Sequence, residues 1–194
     1  MIPESKKKLI EDLIKNKNKT NKLTFVHTPK CGGTYVAQIL KDLNITNLGH
    51  TQAGLNDGIN FTIIRHPVER FESLLNYRLT KTNIRTDWPI HLRSVYNDET
   101  ISLNRIVEKM SDKEILNFKP YRTLKFWSKN VDVFLLINEL HDFLEINGYK
   151  YDIDKYDRKN ISKKNRGVLN EKNRERIANL YSNDIQFFSQ HNIH

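Results

Sequence analysis

The stretch Thr24-Phe25-Val26-His27-Thr28-Pro29-Lys30-Cys31-Gly32-Gly33-Thr34-Tyr35 constrains the fold more than any other part of the chain. An apolar, β-leaning run from Leu23 to Val26 breaks at Pro29, passes through Lys-Cys-Gly-Gly, and continues helically with Val36, Ile39, Leu40 and Leu43 on one face. Strand, glycine turn and helix in that order form an anion cradle. Glycine lets backbone approach a ligand closely, and the first amides of a helix have no internal partner. The positive end of the helix dipole points at the same place. Lys30 adds a full charge, so the stretch predicts a bound phosphate or sulfate group.

The remaining composition narrows the class. A chain of 194 residues is long enough to bury a proper core, and we expect one domain over 1–194. No apolar run approaches the roughly 18 residues of a membrane span, and the start, Met1 to Lys8, lacks the apolar stretch of a secretory signal. A soluble chain, cytoplasmic or otherwise, is therefore expected. The lone cysteine, Cys31, excludes an internal disulfide and a multi-cysteine metal site, and no metal is expected. Within the cradle its backbone is expected to matter more than its thiol.

The formal charge of +9 sits in two places. Residues 1–22, a basic N-terminal helix and tail, hold seven lysines against three acids; residues 158–166 hold Arg158, Lys159, Lys163, Lys164 and Arg166 with no acid. The first reads as a solvated tail and the second as a loop that can face an anionic ligand. A nucleic-acid binder would more often spread its basic residues over a folded face with aromatics interleaved, so nucleic acid is not an expected partner.

Along the chain, residues 4–16 predict a short packing helix, and Asn60 to Arg65 a strand buried on both faces, as in a parallel sheet. Pro67 opens a helix with Val68, Phe71, Leu75 and Leu79 as its stripe. Residues from about 77 to 130 form a variable helical insertion, the expected acceptor region, with a capping box at Ser111 to Glu114. Val131 to Ile137 predicts another buried strand, a helix follows to Ile146, and 170–190 predicts one long packing helix. Strands alternating with helices give an α/β fold class: a three-layer, P-loop-like domain with a mainly parallel central sheet flanked by helices, its ligand at the strands' carboxyl ends.

A second strand-turn-helix junction repeats the logic of the first. Arg65 ends a strand, Pro67 starts a helix, and Ser73 lies eight residues after Arg65, where a guanidinium and a hydroxyl can both meet a phosphate. Taken alone, Arg65 could equally pair with Glu69 or Glu72. Taken together, Pro29-Lys30-Cys31-Gly32-Gly33-Thr34 resembles the 5′-phosphosulfate loop of sulfotransferases that use 3′-phosphoadenosine 5′-phosphosulfate (PAPS). Arg65-x-Pro67-x-x-Arg70-x-x-Ser73 resembles their 3′-phosphate motif, in the form carried by carbohydrate sulfotransferases of the heparan and chondroitin type. Gly49-His50, Val133 to Leu140, Gly148-Tyr149, Asn160-Ile161-Ser162 and Leu180 to Phe188 resemble family landmarks in family order, so the likeness covers about 22–190 without the middle insertion.

The resemblance implies PAPS as sulfo donor, without a metal. Lys30 would contact the 5′-phosphate and the bridging oxygen, while the amides of Gly32, Gly33, Thr34 and Tyr35, with the Thr34 hydroxyl, would complete the cradle. Arg65 and Ser73 would bind the 3′-phosphate. On charge, the basic segment 158–166 could close over the cofactor with Lys159, Ser162 or Lys163 reaching phosphate, or equally be a solvated loop. His50 falls on the family's catalytic histidine and would be the general base, with His91, Glu69 and Glu72 in reserve; His27 reads as a packed residue beside the cradle. His66 departs from the Asp usual in these relatives. The acceptor would be a hydroxyl on a glycan or a small metabolite.

Two other classes compete with this reading. An ATP-hydrolysing loop places its lysine after the glycines, directly before Ser/Thr, whereas Lys30 precedes Gly32 and Gly33. Phe134 to Glu139 resembles the acid-ended strand of such enzymes, but Asn138 occupies the usual Asp position. A nucleic-acid binder rests on the +9 alone.

Overall fold

The computed structural model describes residues 1–17, 22–55, 57–80, 101–118, 122–156 and 167–191. Two compact units emerge, one of residues 1–65, 123–160 and 187–194, the other of residues 66–122 and 161–186.

The first unit holds a four-stranded, all-parallel sheet of β1 (Leu23–Val26), β2 (Thr46–Asn47), β3 (Ile59–Ile63) and β4 (Val133–Leu135), in the order β2-β1-β3-β4. Phe25 stands opposite Phe61, and Phe61 opposite Val133. Every residue of β1 and β3 is buried, as their uninterrupted runs predict for a sheet covered on both faces. Alternate residues Leu23, Phe25, Ile59, Phe61, Ile63, Val133 and Leu135 share one apolar cluster. Val36, Ile39 and Leu40 of α2 (Gly33–Asp42) join it, as do Leu140, Phe143 and Leu144 of α7 (Leu140–Ile146). The Phe61 ring lies 5.3 Å from Phe25 and 4.9 Å from Phe143, a packing whose loss on truncation to alanine costs about 3–5 kcal/mol.

Between the apolar residues of β3, Asn60 and Thr62 are polar, buried and paired. The Thr62 hydroxyl donates to the Val26 carbonyl at 2.6 Å, so the Thr28 hydroxyl, 2.8 Å away, must be the donor to Thr62. Asn60 donates from its side-chain amide to the carbonyls of Asn130 (2.8 Å) and Gly54 (3.2 Å). Buried amides and hydroxyls left unpaired would cost about 1–3 kcal/mol each, so the Thr62 bond fixes β3 against β1 and the Asn60 bonds tie β3 to the loops at Gly54 and Asn130.

The strand predicted over 131–137 is shorter, Val133–Leu135, because Glu139 turns the chain into a 3₁₀ segment, Ile137–Glu139. The buried Glu139 carboxylate accepts from the Leu136 amide at 2.7 Å and pairs with Lys6 at 2.5 Å. Lys17 pairs with Asp132 at 2.5 Å, and the Ile2 amide donates to Asp142 at 2.6 Å. The N-terminal helix α1 (Glu4–Lys17), expected to lead a solvated tail, is therefore anchored by its own charges as well as by buried Ile10.

The second unit is helical. Phe71 and Leu75 of α3 (Pro67–Thr80) and Leu103, Ile106 and Val107 of α4 (Leu103–Lys109) share a core with Ile115 of α5 (Asp112–Leu116) and Ile177 of α8 (Glu171–Leu180). The capping box forms as predicted: the Ser111 hydroxyl accepts from the Glu114 amide, and the Glu114 carboxylate from the Ser111 amide. The single helix predicted over 170–190 is instead two, α8 and α9 (Ser182–His191), separated at Tyr181. Buried Tyr181 donates its hydroxyl to the Ile115 carbonyl at 2.7 Å and sets its ring 6.0 Å from Phe71, contacts that hold it where the helix breaks. Among the described residues, no helix is long and apolar enough to cross a membrane.

Candidate active site

In the order β2-β1-β3-β4, the chain leaves β1 toward one side of the sheet and β3 toward the other. Loops at the carboxyl ends of two such strands diverge, which is where open parallel sheets bind ligands. Residues 27–32 follow β1 and lead into α2, and Ile64 and Arg65 follow β3. Within the first unit, the sheet thus brings the whole predicted cradle, Lys30 to Tyr35, and Arg65 to one end.

The loop backbone has the shape of an anion site. Lys30 (φ 66°) and Gly32 (φ 87°) are left-handed, while Cys31 between them is not. Such alternation turns successive amides toward one concavity. For a lysine the left-handed conformation costs roughly 1–2 kcal/mol, which marks the turn as one imposed by its surroundings. The amides of Tyr35 and Val36 both donate to the Gly32 carbonyl, at 3.0 and 3.2 Å, so those of Gly33 and Thr34 precede the first bond inside α2. Gly32 and Thr34 are exposed and Lys30 is half-buried. Cys31 is buried, its thiol turned back on the Pro29 carbonyl at 3.7 Å, so it can offer backbone alone.

Gly33 has a different reason to be glycine. Its φ is not left-handed, yet a Cβ there would lie 1.9 Å from Nε2 and 2.0 Å from Cδ2 of His27. The His27 ring lies directly against the first residue of α2. His27 continues the alternation of Leu23 and Phe25 on one strand face, its ring 5.9 Å from Phe25.

A second histidine meets it. The His27 amide donates to the Gly49 carbonyl at 3.0 Å, and His50 Nδ1 lies 2.9 Å from the His27 carbonyl. A carbonyl can only accept, so Nδ1 carries the proton and a neutral His50 keeps its lone pair on Nε2. The two rings are 4.1 Å apart, and His50 is exposed. Burial, then His50 and Lys30, push His27 down to about 4, which keeps it uncharged near neutral pH. The pair thus combines an exposed ring fixed through Nδ1 with a half-buried ring set against the loop that enters α2.

Trp127, on α6 (Leu124–Trp127), sets its ring 6.1 Å from His50. Gln52 holds this helix by donating to the Phe126 carbonyl at 2.6 Å. The Trp127 indole N–H is buried and has no hydrogen-bond partner among the described residues. Sequence reasoning missed Trp127, which lies far from His50 along the chain and in no motif. For His27 the period-two alternation was a usable signal.

The second motif divides. Arg65, half-buried, closes the first unit, whereas Ser73, also half-buried, lies on α3 of the second. Arg70 is fully buried beside Asp184, Nη1 to Oδ2 3.8 Å. Glu72, a reserve base, is engaged by structure: its carboxylate accepts from the Leu169 amide at 3.0 Å and from Arg174 at 2.9 Å. Glu69 is exposed, and burial lowers the proton affinity of His66 against the opposing effect of Glu69. Lys159, Ser162, the basic segment 158–166 and His91 lie outside the described residues.

Glu139, the acid that would hold magnesium in an ATP-hydrolysing enzyme, is occupied by Lys6 and the Leu136 amide. No protein-family model matches the chain, and comparison with curated proteins and with solved structures finds no match.

Proposed function

We propose that this chain is a PAPS-dependent sulfotransferase with a P-loop-like α/β fold, acting as a soluble enzyme on an acceptor hydroxyl of a glycan or small metabolite. The observation that carries the reading is the juxtaposition of a lysine-bearing anion loop with His50, whose Nδ1–H is fixed on the His27 carbonyl. A general base needs a free lone pair in a defined orientation, and the His27 carbonyl gives His50 Nε2 that form.

PAPS supplies the sulfo group when bound. The backbone fits its anionic end: the Gly33 and Thr34 amides precede the first intrahelical bond, and the left-handed Lys30 and Gly32 curve the loop. His50 Nε2 removes the proton as the acceptor oxygen forms its bond to sulfur. Lys30 neutralises the charge that develops on the phosphate oxygen as the old sulfur–oxygen bond breaks, an effect typically of about 3–4 kcal/mol. The products are a sulfate ester and 3′-phosphoadenosine 5′-phosphate (PAP). Arg65 and Ser73 are assigned to the 3′-phosphate on sequence resemblance, and Lys159 and Ser162 to closure over the donor.

The test is release of PAP from PAPS in the presence of desulfated glycans or small phenols and alcohols, with EDTA present. Acceptor-dependent release supports the reading. Magnesium-dependent ATP hydrolysis with no use of PAPS overturns it in favour of an ATP-hydrolysing enzyme.

A further inference from the structure

We propose that His27 is the positioning residue for the base: its ring is a wedge between Gly33 and His50 that holds the base in register with the anion loop. The base role of His50 rests on the reading above, whereas the wedge is a matter of packing alone. Three observations converge on it. The ring of His27 occupies the volume that a side chain at residue 33 would need, with Nε2 1.9 Å from the ideal Cβ position. A second neighbour is the His50 ring at 4.1 Å, whose Nδ1 bonds the His27 carbonyl. The His27 amide donates to the Gly49 carbonyl, so the residue preceding the base is tied to the same backbone position.

The wedge acts by shape. Among the described residues, no hydrogen bond is made to the ring nitrogens of His27, and at neutral pH the ring carries no charge that would repel His50 or Lys30. A flat ring of the same size should therefore serve. A small side chain leaves a gap beside Gly33 and frees His50 to turn about its side-chain bonds, so that the loop and the base lose their common reference. A misplacement of about 1 Å at a reacting group costs up to about 100-fold in rate, and this is the scale expected. It also follows that residue 33 is glycine because of His27 rather than because of its own backbone angle.

The experiment compares His27→Ala, His27→Phe, Gly33→Ala and the double variant His27→Ala/Gly33→Ala. Ring ¹⁵N spectra report the His50 tautomer in the ligand-free protein, and PAP binding and kcat follow where PAPS is turned over. The wedge predicts that wild-type His50 is in the Nδ1–H form, that His27→Ala mixes the tautomers and lowers kcat by about 10- to 100-fold with KM for PAPS little changed, and that His27→Phe restores both. It further predicts that Gly33→Ala lowers the melting temperature and that adding His27→Ala recovers most of that loss. An unchanged His50 tautomer in His27→Ala, a phenylalanine variant no better than alanine, or a double variant no more stable than Gly33→Ala would each overturn the proposal. The tautomer and melting readouts need neither ligand nor turnover, so they decide the wedge even if the chain proves not to use PAPS.

Discussion

The two strand-turn-helix junctions, β1 into α2 and β3 into α3, look alike in sequence, with a strand, a proline, a cation and a hydroxyl residue on the helix that follows. Their polar groups are used differently. At the first, Gly32 and Thr34 are exposed beside a left-handed turn, and the amides of Gly33 and Thr34 precede the intrahelical bonds of α2. At the second, Arg70 lies against Asp184, and Glu72 is held by Leu169 and Arg174 inside the helical unit. Part of one apparent motif is therefore taken up by the architecture. Burial is the reason: a charge withdrawn from water needs a fixed partner.

The comparison can be broken by substitution. His50→Ala should lower turnover by about 10²- to 10⁴-fold, the usual contribution of a general base, while PAP still raises the melting temperature as in wild type. Retained turnover would remove the first junction's claim to the base. Arg70→Leu should destabilise by about 3–5 kcal/mol in chemical denaturation, because it leaves the Asp184 carboxylate buried beside a neutral side chain, and Asp184→Leu added to it should recover much of the loss. Weakened PAP affinity in the folded Arg70→Leu protein would instead make Arg70 a ligand group. Lys30→Ala should lower kcat by about 10²- to 10³-fold with little change in stability, since alanine keeps the same Cβ in the left-handed turn.

The smallest effect is a pH dependence. His27 titrates at about 4 in the folded protein and near 6.5 when unfolded, so the unfolded chain binds more protons between these values. Its contribution to stability is therefore fully present above pH 6.5 and lost as pH falls toward 4. Denaturation midpoints across that range should fall less steeply in His27→Phe than in wild type, and identical slopes would mean that His27 is not held neutral by its surroundings.

Local signals gave what they could. Leu23 to Val26, the glycine turn, Pro67 and the Ser111 box are short-range patterns, and each forms an element close to its predicted place. β2 escaped because two exposed residues, Thr46 and Asn47, carry no periodicity, and they become a strand only by pairing with Thr24 and Phe25. The break at Tyr181 depends on the carbonyl of Ile115, which lies far away in sequence. The left-handed turn before α2 was legible because glycines and lysine sit in one loop. The histidine pair was not, since a backbone carbonyl on β1's extension fixes a ring 23 residues later. Trp127 reaches that ring through packing alone.

The most direct test of the central claim is calorimetric titration of the protein with PAP, adenosine 5′-phosphosulfate and ADP, repeated with Lys30→Ala and Arg65→Ala. The account predicts that PAP binds more tightly than either nucleotide lacking a 3′-phosphate. Arg65→Ala should abolish that preference, and Lys30→Ala should weaken all three. Equal affinity for PAP and ADP, or a preference for PAP that survives Arg65→Ala, would contradict it.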